Sequence, residues 1–373
     1  MVKSVKSVVL LLTLVFCLGS AIHAGDVSGA EALIARMVFF REIEGVMSLY
    51  TVEDSGTIRQ LATDLFLPLI GGAFLSWSND CEMIAFNAAT TEEGLYRRGI
   101  GLEVFTYSFQ TDNLQQITDN EYMDSNVFWL PGHDRTITYA GYDIEGSPLP
   151  ETTVYNLKTN EQSSFPGELR NGLFAPDGTI FYGTGFSENR YSIYAFSLTG
   201  EQETRYPVMS LNLLIPRRIS NDGTRLLYTV ADRTYSNLSS LHSVNVNGTN
   251  VQQLTENREI RDAAWSPDAT QVVYTDANNV WIMQSDGSQK TNLTSRLRIG
   301  DNYFSYADWL LGWDEDTDTI LVQAVTSESP REVFIDIFAL QADGSSLTRL
   351  TERQEDDLLS PRYWNACLKS ESN

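Results

Sequence analysis

Three aspartates, Asp314, Asp316 and Asp318, alternate in the stretch "DEDTDT". Oxygen ligands at every second position are how calcium loops wrap a hard cation. The stretch has no glycine at its sixth position and no distal glutamate, and it falls where the chain elsewhere carries an aspartate-bearing turn. It reads as a solvated acidic turn, so no metal and no cofactor is expected. Of the three histidines, His23 lies near the start, His133 in a turn and His242 in an expected strand. They are too scattered for a histidine metal centre or a Ser-His-Asp triad. Neither Gly-x-Ser-x-Gly nor a phosphate-cradling glycine loop occurs, and no catalytic residue is assigned. The 49 acidic residues permit a carboxylate pair in a channel without pointing to one.

The elements that would position any such groups are short and all of one kind. "QVVYT" and "VWIM" are β-branched or aromatic runs suited to a pleated, two-sided layer. Between Trp265 and Gln271, "SPDA" supplies a proline that presets a turn dihedral and an aspartate that can bond the backbone two residues on. That turn recurs as "WSND" ending at Asp80, "LPGHD" ending at Asp134, "APDG" at Ala175 to Gly178, "SNDG" at Ser220 to Gly223 and "WDEDTD" at Trp313 to Asp318. A closing strand recurs seven times, ending at Thr63, Thr118, Pro166, Pro207, Thr255, Thr294 and Thr351. The endings are spaced about 48 residues apart on average, the length of a four-stranded propeller blade. The first unit begins at "RMVFF" with no innermost strand before it, while "DLLSPRYWNA" near the other end has no blade of its own. The spacing therefore predicts an all-β propeller of seven four-stranded antiparallel blades, its ring closed by the C-terminal strand pairing into the first blade. Six blades is the alternative, if the unit from Asn171 to Pro207 is misread. Closure would remove the exposed sheet edges that template aggregation.

"AAWSPDATQVVYTDANNVWIMQSDGSQKTNLT", Ala263 to Thr294, resembles the repeat of TolB-type propellers, also called WD40-like or PD40 repeats. Ala175 to Gly178, Asp343 with Gly344, and Leu350 with Thr351 match fragments of the same pattern. The resemblance implies an exported propeller and a protein or cell-envelope partner. TolB proteins carry an amino-terminal α/β domain, whereas here only about a dozen residues separate the leading apolar segment from "RMVFF".

That leading segment has Lys3 and Lys6, an apolar run from Val8 to Leu18 and small residues in "GSAIHAGD". It reads as a signal peptide, residues 1–24, cleaved after Ala24, with an uncleaved anchor as the alternative. A linker over 25–35, a single propeller over 36–367 and a tail over 368–373 follow. The expected location is periplasmic or extracellular and the mature body a soluble monomer. The net charge of −23 becomes more negative once both lysines leave, which argues against a nucleic-acid partner. Two cysteines remain, Cys81 just past "WSND" and Cys367 just past "YWNA". The repeat places them at neighbouring, equivalent positions, either bridged across the ring closure or as two separate buried thiols.

In a propeller the loops between second and third strands share one face with the blade-to-blade connections. "NAATTEEGLYRRGIGLE", "AGYDIEGSPLPET", "GTGFSENR" and "VADRTYSNL" are all read as insertions in that loop. They carry Tyr96, Arg97, Arg98, Tyr142, Phe186, Arg190, Arg233 and Tyr235, of the types enriched in binding hot spots. The expected function is a non-catalytic, protein-binding envelope adaptor. The alternative is a carbohydrate-acting lyase or hydrolase using channel carboxylates.

Overall fold

Apolar runs bounded by Asp-, Gly- and Asn-rich turns become 28 strands in seven sheets of four. The computed structural model describes residues 35–43, 46–52, 58–66, 75–91, 101–143, 147–166, 172–198, 203–232, 238–256, 258–276, 279–295, 304–329, 332–350 and 363–368. No helix occurs among them. Each sheet is an antiparallel blade, and the chain is a seven-bladed propeller. Blade 1 joins Tyr363–Leu368 to Ala35–Ile43, Val46–Val52 and Ile58–Leu65, in that order. Blades 2 to 7 follow over residues 75–116, 123–166, 173–210, 214–253, 262–292 and 304–349. The ring closes as its sequence pattern predicts, with Ala35 paired to Leu368 and Phe40 to Tyr363.

Both faces of most blades are covered, so the strands are apolar on both sides rather than alternating. Thr136–Tyr142 is buried along its whole length. Among the described residues seven hydrophobic clusters result, one at each junction between neighbouring blades. Blade 1 meets blade 2 through Val38, Phe40, Leu49, Ile84, Phe86 and Tyr107. Blade 7 meets blade 1 through Met37, Phe39, Leu321 and Ile337. Burying each such side chain contributes roughly 1.5–3 kcal/mol.

Two hydrogen-bonded devices repeat around the ring. In the turn after the innermost strand, Ser78, Ser220 and Ser266 donate from Oγ to Asp80, Asp222 and Asp268, at 2.6, 2.5 and 2.7 Å. The same hydroxyls accept the N–H of Met83, Arg225 and Gln271. The next residue lies in the left-handed region, Gly178, Gly223 and Ala269 in three blades and Cys81 in blade 2, with φ of 69°, 70°, 57° and 54°. At the closing strand, Thr118, Thr255 and Thr294 accept through Oγ1 from the N–H of Val104, Leu241 and Val280, at 2.9, 2.9 and 3.0 Å. These bonds account for the recurrence of Ser-x-Asp and of the terminal Thr.

Candidate functional site

Antiparallel order sends the second-to-third-strand turns and the blade connections to one face, here the rim. Arg190 stands on it, exposed, as the first residue of Arg190–Ser197. Tyr96, Arg97, Arg98, Arg233 and Tyr235 lie outside the described residues. Two expectations are corrected. "GTGFSENR" is not an inserted loop: Ile180–Ser187 and Arg190–Ser197 run through it, pairing Phe186 with Tyr191 and Ser187 with Arg190. Glu188 and Asn189, both at positive φ, make the turn. Tyr142 does not stand in an exposed loop. It is the last residue of a strand, 6% exposed, and its hydroxyl accepts from Asn126 Nδ2 at 2.9 Å.

Sequence reasoning did not foresee Tyr122 and Leu211, at 44% and 56% exposure among the large hydrophobics left in solvent. Both sit in blade-to-blade connections, between blades 2 and 3 and between blades 4 and 5, on the same rim as Arg190.

Beneath the first of these connections lies a buried pair of acids. Glu103 is the second residue of the third strand of blade 2, and Asp124 is the second residue of the innermost strand of blade 3. Asn120 ties them together, its N–H donating to Glu103 Oε1 at 3.3 Å and its Nδ2 to Asp124 Oδ2 at 2.9 Å. Burial pushes both carboxyls up, and the charges of Asp124 and Asp119 add to the effect on Glu103. The nearby Tyr139 hydroxyl is pushed up to about 12, first by burial and then by Asp124. Glu103 Oε2 is buried without a hydrogen-bond partner.

The remaining chemical candidates have structural roles. Asp314 accepts the Thr317 N–H at 3.0 Å and Asp318 accepts Trp313 Nε1 at 2.9 Å, so the acidic stretch caps its own turn. Among the described residues no three of His, Cys, Asp and Glu are grouped to hold a metal ion. His242 stacks on Tyr228 with ring centroids 5.2 Å apart, and its Nε2 lies 2.8 Å from Ser240 Oγ. Burial pulls its pKa down to about 4, so the imidazole is neutral near pH 7. His133 lines a small cleft of about 190 Å³ between the first turns of blades 2 and 3, where Arg135 pairs with Asp80 at 2.9 Å.

On the innermost strands, the buried acid Asp262 is held rather than free. Its Oδ2 accepts the Leu310 N–H at 3.2 Å and lies 3.5 Å from Arg218 Nη2. The adjacent arginines 217 and 218 went unnoticed in the sequence, although a basic pair inside a strand of so acidic a chain is a usable signal.

The sequence profile of the dipeptidyl peptidase IV N-terminal region matches residues 220–312. No curated protein matches the chain. Among solved structures, the β-propeller domain of the trilobed protease from Pyrococcus furiosus superposes with a TM-score of 0.57 at 14% identity, over 85% of this chain and 92% of that one. That domain is described as having an open velcro topology, whereas here Tyr363–Leu368 closes blade 1. An oligogalacturonate lyase from Vibrio parahaemolyticus gives a TM-score of 0.54 at 11% identity, over 86% of each chain. TolB from Acinetobacter baumannii superposes less closely, with a TM-score of 0.45 at 14% identity over 88% of this chain and 82% of its own. At these identities the similarity is one of fold, a β-propeller.

Proposed function

We propose that this chain is an exported, non-catalytic propeller that captures a protein or cell-envelope partner on its rim. The observation that carries this reading is the pairing of Tyr122 and Leu211, large and exposed on blade connections, with the exposed Arg190 on the same face. Aromatic, aliphatic and arginine side chains on a rigid frame are the usual anchors of protein interfaces. Tyr96, Arg97, Arg98, Arg233 and Tyr235 are proposed as further contacts from the sequence alone. Phe186 is two residues from the turn of the blade 4 hairpin.

Export rests on the leading segment, with its two lysines, apolar run and small residues before Gly25. No helix among the described residues is long and apolar enough to cross a membrane. A bridge between Cys81 and Cys367 belongs to the same reading. It is supported by the half-cystine state of Cys81, by its burial, and by the packing of strand Tyr363–Leu368 against Leu75–Trp77.

The test is capture from a cell-envelope extract by residues 25–373, run beside a variant carrying Tyr122→Ala, Arg190→Ala and Leu211→Ser. A partner retained by the parent and lost by the variant is the expected result. Equal retention by both, or by neither, removes the rim as the binding face.

A further inference from the structure

Arg217 and Arg218 stand on the innermost strand of blade 5, Leu214–Ile219, where its pairing breaks step. Pro216 is opposite Tyr228 and Arg218 opposite Leu227, so Arg217 has no cross-strand match. A bulge of this kind re-aims a side chain. Arg218 then reaches past its own blade. Its Nη2 donates to the Leu310 carbonyl of blade 7 at 3.1 Å and lies 3.5 Å from Asp262 Oδ2 of blade 6, while half of its side chain stays open. Innermost strands of three successive blades therefore converge on one guanidinium.

The charges at this point do not cancel. Among the described residues two guanidinium groups face a single carboxylate, and that carboxylate already accepts two backbone N–H groups, from Ala263 at 2.9 Å and from Leu310 at 3.2 Å. Arg217 donates through Nε to Thr229 Oγ1 at 3.2 Å. Its two terminal nitrogens have no hydrogen-bond partner among the described residues. Burial and the neighbouring Arg218 both disfavour its charge, which Asp262 only partly offsets. Arg217 is partly buried and its guanidinium has no bidentate partner among the described residues, and a planar carboxylate is the shape that its fork fits.

We propose that Arg217 and Arg218 form an anion-recognition site on the innermost strands of blades 5 to 7, and that it takes one carboxylate of an acidic peptide. The anion site rests on the charges and geometry of the described residues; the choice of a peptide rests on the protein-binding reading above. Charge favours it further. A chain of net charge −23 repels a long polyanion, whereas an isolated carboxylate on an otherwise neutral segment meets only the local positive pair.

The experiment is affinity selection on immobilised protein, residues 25–373, from two libraries of acetylated, amidated octapeptides, one with a single Glu and the other with Gln in its place. Enrichment of the Glu library by about tenfold or more is expected, as is loss of that preference in Arg218→Gln and in 0.5 M salt. Arg218 is half exposed, so its variant is expected to fold, and the Glu-against-Gln comparison on the parent needs no variant. Equal recovery of both libraries overturns the site. Arg218-dependent binding of trigalacturonate, without Glu enrichment, overturns the peptide assignment. The rim variant must keep the Glu preference, so that a failed capture experiment and a failed anion site are told apart.

Discussion

Ser266 donates from Oγ to Asp268 Oδ1 at 2.7 Å and accepts the Gln271 N–H at 2.9 Å on the same oxygen, so one hydroxyl fastens both ends of the turn. Ser266→Ala removes both bonds at a buried residue and is expected to cost about 1–3 kcal/mol, read from chemical denaturation. Thr270 N–H and the Ser266 hydroxyl hold the Asp268 carboxyl below its ordinary value, so its contribution is present above an unfolded pKa near 3.8 and lost as pH falls through the depressed folded value. Asp268→Asn should therefore matter near pH 7 and become indistinguishable from the parent in strong acid. A difference that grows on acidification would contradict this.

Glu103 has the opposite sign. Burial raises its pKa, so the folded chain holds the proton more tightly than the unfolded one, and stability falls as pH rises above the ordinary value of 4.5 towards the raised folded pKa. Glu103→Gln keeps an acceptor for Asn120 and removes the buried charge. Its melting temperature should exceed the parent's at pH 7, with the gap closing near pH 4.

For His242 the folded pKa of about 4 lies below the ordinary 6.5, so the unfolded chain takes up the proton first. The stability associated with the neutral ring is present above pH 6.5 and declines between pH 6.5 and 4. A proton-resonance titration should place the ring near 4, and His242→Phe should flatten that part of the stability profile.

Phe86, fully buried, packs edge-on against Phe40 of blade 1 and stacks on Phe105 of its own blade, with centroids 5.6 Å apart in each case. Phe86→Ala should cost about 3–5 kcal/mol. Replacing the exposed Val251 by Ala should stay within about 0.5 kcal/mol.

Cys81 occupies the left-handed turn position that Gly178 and Gly223 fill in two other blades. A side chain there is strained by roughly 1–2 kcal/mol. Under reducing conditions Cys81→Gly should match or exceed the parent in stability. Under oxidising conditions it should fall below, if the proposed bridge to Cys367 forms.

The blade count was legible because each turn and each strand ending is fixed by a local side-chain bond, Ser78 to Asp80 or Thr118 to Val104, that imposes residue type. The loops were less so. Gly183 and Gly185 looked like loop residues, yet both lie in a strand, and a Cβ on Gly185 would sit 2.4 Å from the Tyr194 ring. Glycine there serves close packing, which single-sequence reading cannot separate from turn formation. Arg217 and Arg218 were missed for another reason: their meaning depends on Asp262 and Leu310, which lie 44 and 92 residues beyond Arg218.

The pairing of Ala35 with Leu368 has a consequence for synthesis. Strand Ala35–Ile43 emerges early, but its neighbour Tyr363–Leu368 comes more than three hundred residues later. Until then one edge of blade 1 stays open, and joining it requires closing a loop nearly as long as the chain. Completion of the ring is thus a late, slow event, during which an unpaired edge invites a neighbouring nascent chain. A holdase that covers Met37 to Phe40 would raise the yield of closed rings without altering their final stability.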